Sequence, residues 1–272
     1  MSGKLYIVGT PIGNLGDISH RALDTLESVD FIAAEDTRVT LKLLNHFGIK
    51  KPMVSYFEHN KAERGRVIID RLLSGENCAV VTDAGMPAIS DPGEDLVREA
   101  RAAGIDTESV PGPSAFTAAL AASGMSSSRF CFDGFPPVDK KERKEFFDAL
   151  KDEKRTIILY EAPHKLSKTL SDLYSALGDR ELAIARELTK IHEEIIKTTL
   201  KEASEKYNDN QLKGEIVLVI AGNTAEKEKM TFKQAKKYAL DLVGSGVSKT
   251  EAAKIASSES GFRKGDIYKE LI

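Results

Sequence analysis

The feature that most restricts the fold of this 272-residue chain is an alternation in its first half. Short runs that are apolar throughout, LYIVG (5–9), DFIAAE (30–35), MVSYF (53–57) and NCAVVTD (77–83), are separated by stretches with helical periodicity at 19–29, 37–47, 60–74 and 93–103. A strand with one wet face alternates polar and apolar residues, whereas a strand without polar positions has both faces covered. Strands of the second kind, joined through helices, predict a mostly parallel sheet sandwiched between helical layers. The stretch at 93–103 carries the matching helical pattern, with Leu96, Val97 and Ala100 on one face and charges opposite.

A second block follows the small-residue, proline-bearing segment VPGPSAFTAALAASGMSSS (110–128). Its strand candidates are RFCFDGF (129–135), RTIILYEA (155–162), ELAIARE (181–187), EEIIKTTL (193–200) and GEIVLVIAG (214–222). Some are joined by short polar connections, which parallel strands cannot use, so mixed or antiparallel pairing is expected. The reading is an α/β protein of two domains, 1–112 and 113–223, with a cleft between them. Residues 224–272 differ: they hold no strand pattern and no proline, and predict helices at 231–243, 249–258 and 263–271. The middle helix opens on Ser248-Lys-Thr-Glu251, a capping-box pattern preceded by Val247 as a hydrophobic staple, and Gly261 marks its end. A small helical module with a helix–turn–helix pair that could dock on nucleic acid fits this pattern, as does a helical cap.

Charge separates these regions. The chain has a net charge of −3, yet residues 224–272 hold 10 Lys and Arg against 7 Asp and Glu, leaving an acidic body with a basic tail. Such a tail suits an anionic partner, or is a solvated helical surface. Hydrophobic residues make up 41% and charged residues 30%, ordinary values for a soluble protein. No apolar run approaches a membrane span, and MSGKLYIVGTPIGN lacks the regions of a signal peptide. Cys78 and Cys131 lie in apolar runs and read as buried free thiols. The expectation is a cytoplasmic protein without membrane association.

The residues that could carry chemistry cluster after strands. Gly9-Thr-Pro11-Ile12-Gly13-Asn-Leu-Gly16-Asp17 follows the first strand, with glycines spaced four and three apart. That spacing is neither the dinucleotide fingerprint nor a phosphate-binding P-loop. Pro11 also removes an N–H where such loops would cradle phosphate. Thr82-Asp83-Ala-Gly85-Met86-Pro87-Ala-Ile89-Ser90-Asp91-Pro92-Gly93 follows the fourth strand. There Asp83 suits a cationic or amine-bearing ligand, Gly85 permits close backbone approach, and Asp91 reads as a helix N-cap. Pro111-Gly-Pro113-Ser114-Ala115 opens a helix whose free amides suit a ligand carboxylate, with Ser114 as its cap. Glu35-Asp36-Thr37-Arg38, Tyr160-Glu161-Ala-Pro163-His164-Lys165 and Ala185-Arg186-Glu187-Leu188-Thr189-Lys190 complete the set, and together they point to one crevice. The five histidines are scattered and no CxxC or HxxxH spacing occurs, so no metal is expected. No G-x-S-x-G elbow supports a hydrolase.

VGTPIGNLGDISHRAL, AAEDTR, TDAGMPAISDPG, PGPSAF, YEAPHK, ARELTK and GEIVLVIAG, in order from about residue 4 to 222, resemble the tetrapyrrole-methylase superfamily. EDTR, DAG.P.ISDPG and ARELTK resemble, within it, the bacterial branch that methylates the ribose 2′-hydroxyl of a cytidine in 16S ribosomal RNA. The basic helical tail is similar to that branch's C-terminal module. The resemblance implies a two-domain class III methyltransferase fold with S-adenosylmethionine in the cleft, in a homodimer acting on 16S rRNA in the 30S subunit. By matching position it implies that Pro11, Ile12, Asp83, Gly85, Ile89, Ser114, Ala115, Pro163, Ala221 and Gly222 line the cofactor site. Two departures stand out: Met86 replaces the aspartate of many tetrapyrrole methylases, and Lys165 stands where the RNA branch usually has arginine.

For the proton that must leave a ribose hydroxyl, Glu35, Asp36 and Glu187 are the candidate bases. Arg38, His164, Lys165, Arg186 and Lys190 are the candidates for holding RNA. Two alternatives remain in view: a porphyrinoid methyltransferase, which has no need of a basic tail, and a ribosome-binding protein without catalysis, which leaves the strand-end motifs unexplained.

Overall fold

The computed structural model describes residues 2–208, 212–224 and 230–272. They form two compact units, Met1–Asn223 and Thr224–Ile272. Residues 225–229, part of the basic tail, lie outside the described residues.

The larger unit opens with β1 (Lys4–Val8), α1 (His20–Ser28), β2 (Phe31–Ala34), α2 (Thr37–His46), β3 (Met53–Ser55), α3 (Lys61–Leu73), β4 (Cys78–Val81), α4 (Gly93–Ala102) and β5 (Asp106–Val110). The five strands form one sheet in the order β3-β2-β4-β1-β5, and every pair is parallel. The apolar runs are explained by what covers each face. Phe31, Ala33, Cys78 and Val80 pack with Ile68 and Leu72 of α3 and Leu96 and Ala100 of α4. Their neighbours Ile32, Ala34, Ala79 and Val81 point the other way, onto Ala22 and Leu26 of α1 and Leu44 of α2. Each large side chain among them, such as Phe31, Ile32, Val80 or Val81, contributes roughly 1.5–3 kcal/mol when taken from water and each alanine less, so no position in β2 or β4 is left for a polar residue. β5 escapes the apolar pattern because it is an edge strand: Asp106 and Ser109 are exposed, Thr107 and Glu108 half-buried, Lys4 pairs with Glu108 at 3.0 Å, and only Val110 is fully buried. Polar edges of this kind resist pairing with other chains.

The rest of the unit comprises α5 (Ala115–Ser123), β6 (Phe130–Phe132), α6 (Lys140–Ala149), β7 (Thr156–Glu161), α7 (Leu166–Leu177), β8 (Glu181–Arg186), β9 (Glu194–Thr199), α8 (Leu200–Lys206) and β10 (Ile216–Ile220). The second sheet runs β6-β7-β10-β8-β9. β6 and β7 are parallel, whereas β10 is antiparallel to both its neighbours and β8 to β9, the mixed pairing the short connections require. Ile158, Ala183, Ala185, Val217 and Val219 meet Ala119 and Leu120 of α5 on one face. Ile157, Leu159, Leu182, Ile184 and Leu218 meet Phe147, Leu166, Leu170, Leu173 and Leu200 from α6, α7 and α8 on the other. Cys78 is fully buried and Cys131 only partly, and burial pushes each free thiol up to about 12.

The smaller unit holds α9 (Phe232–Gly244), α10 (Lys249–Ser260) and α11 (Lys264–Lys269) around Ala235, Ala239, Ala252, Ala253, Ala256, Ile267 and Leu271. The complete capping box belongs to Thr231 and Gln234 at the start of α9. At α10 only half of the expected box forms: Ser248 accepts from the Glu251 amide at 3.4 Å, while Glu251 instead faces Lys254. Gly261 ends α10 in the left-handed conformation, as its position implies. Among the described residues no helix is long and apolar enough to cross a membrane.

Candidate functional site

β4 lies beside β1, yet α1 leaves β1 over one face of the sheet and α4 leaves β4 over the other. A crevice opens where neighbouring connections diverge, at the carboxyl ends of such strands. Two devices bring the exit loops together there. Thr10 and Gly85 exchange backbone hydrogen bonds at 2.9 and 3.1 Å, and the Thr10 hydroxyl donates to the Thr82 carbonyl. Gly9 and Gly112 also pack backbone to backbone: a Cβ on either would lie within 3 Å of the other's main chain.

A cavity of about 420 Å³ occupies this crevice, lined by Ile12, Glu35, Thr82–Met86, Ile89–Asp91, Ser114, Ala115, Phe135, Tyr160–Pro163 and Glu215–Val217. Its volume falls within the range of roughly 300–1,000 Å³ usual for small-molecule sites. The first sheet supplies one wall. The second supplies the other through the end of β7 and the start of β10, which are adjacent because Ile216 pairs with Glu161.

The acidic side chains are individually placed. Glu35, at the end of β2, accepts through Oε2 from the Thr82 hydroxyl at 2.5 Å and the Asp83 amide at 3.3 Å. Asp83 accepts from the Asp36 amide at 3.1 Å, and these bonds tie the ends of β2 and β4. Burial, then the nearby Glu35 charge, hold the Asp83 carboxyl above its usual range. Asp91 is also raised, chiefly by burial, although it accepts from the amides of Ala88, Ile89 and Gly93. Its bond to Gly93 reaches the first residue of α4, but the N-cap position itself falls to Pro92, one residue later than expected, which has no polar side chain to cap with. The other two fix a turn in which Ala88 (φ 65°) and Ser90 (φ 66°) adopt the left-handed region. For non-glycine residues this costs of order 1 kcal/mol or more each, and the turn presents Ile89 to the cavity.

On the second wall, Glu161 is buried and accepts from the Ala162 amide and the Thr169 hydroxyl. Arg143, only 6% exposed, donates to Thr169 Oγ1 and Asp172 Oδ2, each at 2.6 Å, and to the Pro137 carbonyl at 3.2 Å. Tyr160 Oη accepts from the Phe116 amide at 3.2 Å. Ser114 stands at the N-cap of α5, but its hydroxyl makes no capping bond and lines the cavity instead. The first-turn amides of α5 have no acceptors within the helix; Tyr160 takes that of Phe116, and the helix start lies at the cavity that Ser114 and Ala115 line.

Of the residues expected to hold a cofactor, Ile12, Asp83, Gly85, Ile89, Ser114, Ala115 and Pro163 converge on this cavity. Ala221 and Gly222 do not. They follow the far end of β10, beyond Ile220, which pairs with Ile157, and Gly222 packs on the Lys154 and Arg155 carbonyls. The resemblance implied these two, but β10 runs antiparallel to β7, so it is the start of β10, Glu215–Val217, that lies beside Glu161 at the cavity. Pro11 precedes Ile12 without lining the cavity.

The three base candidates separate too. Only Glu35 lines the cavity. Asp36 caps α2 and forks onto Arg38, whose hydrogen bonds hold its carboxyl down to about 2. Glu187 binds Lys190 at 2.9 Å and the Glu215 amide at 3.0 Å, and the Lys190 bond lowers its carboxyl below the usual range.

The RNA candidates all lie outside the lining. Arg38 and His164 are exposed, Lys165 is half-buried, Arg186 sits 3.2 Å from Glu194, and Lys190 bridges Glu187 and Glu215. Thr82, Phe135, Tyr160, Glu161 and Glu215 are lining residues to which sequence reasoning gave no role. Among the described residues, no cluster of three or more metal-ligating side chains exists.

Residues 4–204 match the family model described as Tetrapyrrole (Corrin/Porphyrin) Methylases. A Synechocystis protein, "Ribosomal RNA small subunit methyltransferase I", is 44% identical over 268 residues, covering 98% of this chain and 96% of the relative. A protein of the same name from Thermotoga maritima is 49% identical over 220 residues, covering 81% of this chain but 99% of the relative. The crystal structure of Uroporphyrin-III C-methyl transferase from Thermus thermophilus complexed with S-adenyl homocysteine superposes with a TM-score of 0.56. It is 15% identical, and the match covers 80% of this chain and 97% of that one, a likeness of fold. The chain belongs to the tetrapyrrole (corrin/porphyrin) methylase family, and within it groups with the ribosomal RNA small subunit methyltransferases I.

Proposed function

We propose that this protein uses S-adenosylmethionine to methylate the 2′-hydroxyl of a cytidine ribose in 16S ribosomal RNA, acting on the 30S subunit as a cytoplasmic homodimer. The observation that carries the reading is the cavity. It joins acidic groups at strand ends, apolar walls and an open helix start, in a chain 44% identical over nearly its full length to a protein named for rRNA methylation. That donor set suits a ligand bearing an ammonium, a carboxylate and an adenosyl group.

S-adenosylmethionine supplies a methyl carbon on a positively charged sulfur, open to attack by a hydroxyl oxygen. Asp83 would hold its positive or hydroxyl groups, the amides at the start of α5 beside Ser114 and Ala115 would take its carboxylate, and Ile12, Ile89 and Pro163 would cover its apolar surface. Gly85 keeps the floor free of a side chain, and Pro11 stiffens the approach to Ile12. In-line displacement depends on alignment, so holding both reactants is the protein's main contribution. Glu35 is the proton acceptor: Thr82 and Asp83 anchor its Oε2, and Oε1 remains for the ribose hydroxyl. Arg38, His164, Lys165, Arg186 and Lys190, outside the cavity, serve the phosphate backbone, and the basic 224–272 module adds RNA affinity. The chemistry belongs to the larger unit, which supplies every residue that lines the cavity.

The porphyrinoid alternative is not favoured. Met86 stands where an aspartate would be expected, and its Sδ accepts from the Gly112 amide at 3.3 Å, closing the loop rather than offering a carboxylate. A purely ribosome-binding protein would have no use for the cavity. The test offers labelled S-adenosylmethionine to 30S subunits lacking the modification, to free 16S RNA and to a porphyrinoid. Label recovered as 2′-O-methylcytidine supports the proposal, and label only in the porphyrinoid overturns it.

A further inference from the structure

Phe135 is an anomaly for a packed protein: a large apolar ring, 57% exposed, at the rim of the cavity. It is also held still. The loop after β6 is pinned where the Asp133 amide donates to the Ile158 carbonyl at 3.1 Å and the Tyr160 amide to the Gly134 carbonyl at 2.9 Å. Pro136 and Pro137 follow, and Arg143 clamps the Pro137 carbonyl. The ring rests on Tyr160 (centroids 5.4 Å apart), which meets Phe132 at 4.8 Å, which stacks on Phe116 at 4.5 Å. Across the rim, Gly134 approaches the turn carrying Ile89: a Cβ on Gly134 would lie 2.8 Å from Ser90 Oγ. Ile89 is 43% exposed and lines the same cavity, so two loops from two sheets set apolar side chains at one mouth.

An exposed aromatic immobilised in this way is a platform for a flat partner. Single-stranded or splayed nucleotides are recognised by stacking their bases on such rings. Resting on the RNA-methylation reading above, we propose that Phe135 stacks on a nucleobase at the cavity mouth, that of the acceptor nucleotide, and so aligns its ribose with Glu35. Phenylalanine has no hydrogen-bonding group, so the contact positions the base without identifying it. The acidic groups that suit the cofactor lie on the strand ends, whereas Phe135 stands at the solvent-facing edge, which assigns the ring to the acceptor.

The experiment compares wild type with Phe135→Ala, Phe135→Leu and Phe135→Trp. It measures methyl transfer to unmodified 30S subunits, S-adenosylmethionine affinity by calorimetry, thermal unfolding and sedimentation. The expected result for Phe135→Ala is a loss of about 10- to 100-fold in kcat/KM for the RNA substrate, the size of one base–aromatic stack. Cofactor affinity stays within about twofold, Phe135→Trp recovers most of the activity, and Phe135→Leu does not. Unchanged RNA kinetics, a matching loss of cofactor affinity, or a shift in oligomeric state would each overturn the assignment. The last two would make the ring a cofactor cover or an interface between copies. Failure of the underlying reading looks different, because wild type itself would then place no label in RNA.

Discussion

Arg143 holds the second wall of the cavity together, and its replacement has a calculable cost. It is buried, yet its guanidinium satisfies Asp172 from α7, the Thr169 hydroxyl that in turn serves Glu161, and the Pro137 carbonyl of the Phe135 loop. Arg143→Met keeps the aliphatic bulk and removes all three bonds. Removing one member of a buried ion pair costs about 3–5 kcal/mol when its partner is stranded. Here Asp172 keeps Lys168 at 2.7 Å and is 31% exposed, so the lower end applies. We expect a loss of about 3 kcal/mol in urea unfolding, which for a body of this size lowers Tm by roughly 6–12 °C. Arg143→Lys restores charge but not the three-way fork and falls between. Because the Pro137 tether is lost, methyl transfer to RNA declines more than cofactor affinity. A Met variant within about 0.5 kcal/mol of wild type, or a Lys variant equal to it, would refute the idea that this network holds the wall.

Glu35→Gln lowers kcat by about 10²–10⁴-fold with cofactor affinity unchanged, while Asp36→Asn and Glu187→Gln retain most turnover; single-turnover kinetics separate them. Asp83→Asn weakens S-adenosylmethionine binding at least about tenfold in calorimetry, losing a charge-assisted contact. It leaves stability at neutral pH equal or higher. The folded carboxyl sits above its unfolded value of 3.8, so the native state holds the extra proton between the two and loses stability as pH rises through that window. Asp36 has the opposite sign: held down to about 2 by Arg38, it contributes stability above 3.8 that disappears as pH falls through about 2. A carboxyl NMR titration shows this, and Arg38→Ala returns the value toward the ordinary range. Thr231→Ala costs the helical module about 1 kcal/mol, read as faster amide exchange in α9, and Ser248→Ala, which loses one long bond, costs less.

The apolar strands were legible because both faces of each sheet are covered, which leaves a continuous signal from β1 to β10. β5 was not, since an edge strand with one buried residue has no period to detect. The helix carrying Arg143 was likewise unannounced: KKERKEFFDA is mostly charged, and its burial follows from Asp172 and Thr169 elsewhere in the chain. In the site, residues at strand ends could be named but not paired. That Glu35 meets Thr82 and Asp83, whereas Asp36 turns to cap α2, depends on one residue of register at the end of β2. Ala221 and Gly222, implied by the family resemblance, fall outside the lining because β10 is antiparallel to β7 and brings its first residues to the cavity, and strand direction is a tertiary property. Phe135 carried a local signal, an aromatic between Gly134 and Pro136 just past a strand, but its exposure was visible only in three dimensions.

If the methyl donor sits in the cavity bounded by Ile12, Asp83, Ala115 and Pro163, filling that cavity must exclude it. Calorimetric titration of S-adenosylmethionine into wild type and Ala115→Phe, which sets a ring into a space of about 420 Å³, tests it most directly. The expected result is at least about 30-fold weaker binding by the variant; because Ala115 also packs partly on the core under α5, the variant loses about 1–3 kcal/mol of stability but stays folded. Equal affinity in the two proteins would place the cofactor elsewhere and rule this cavity out as its site.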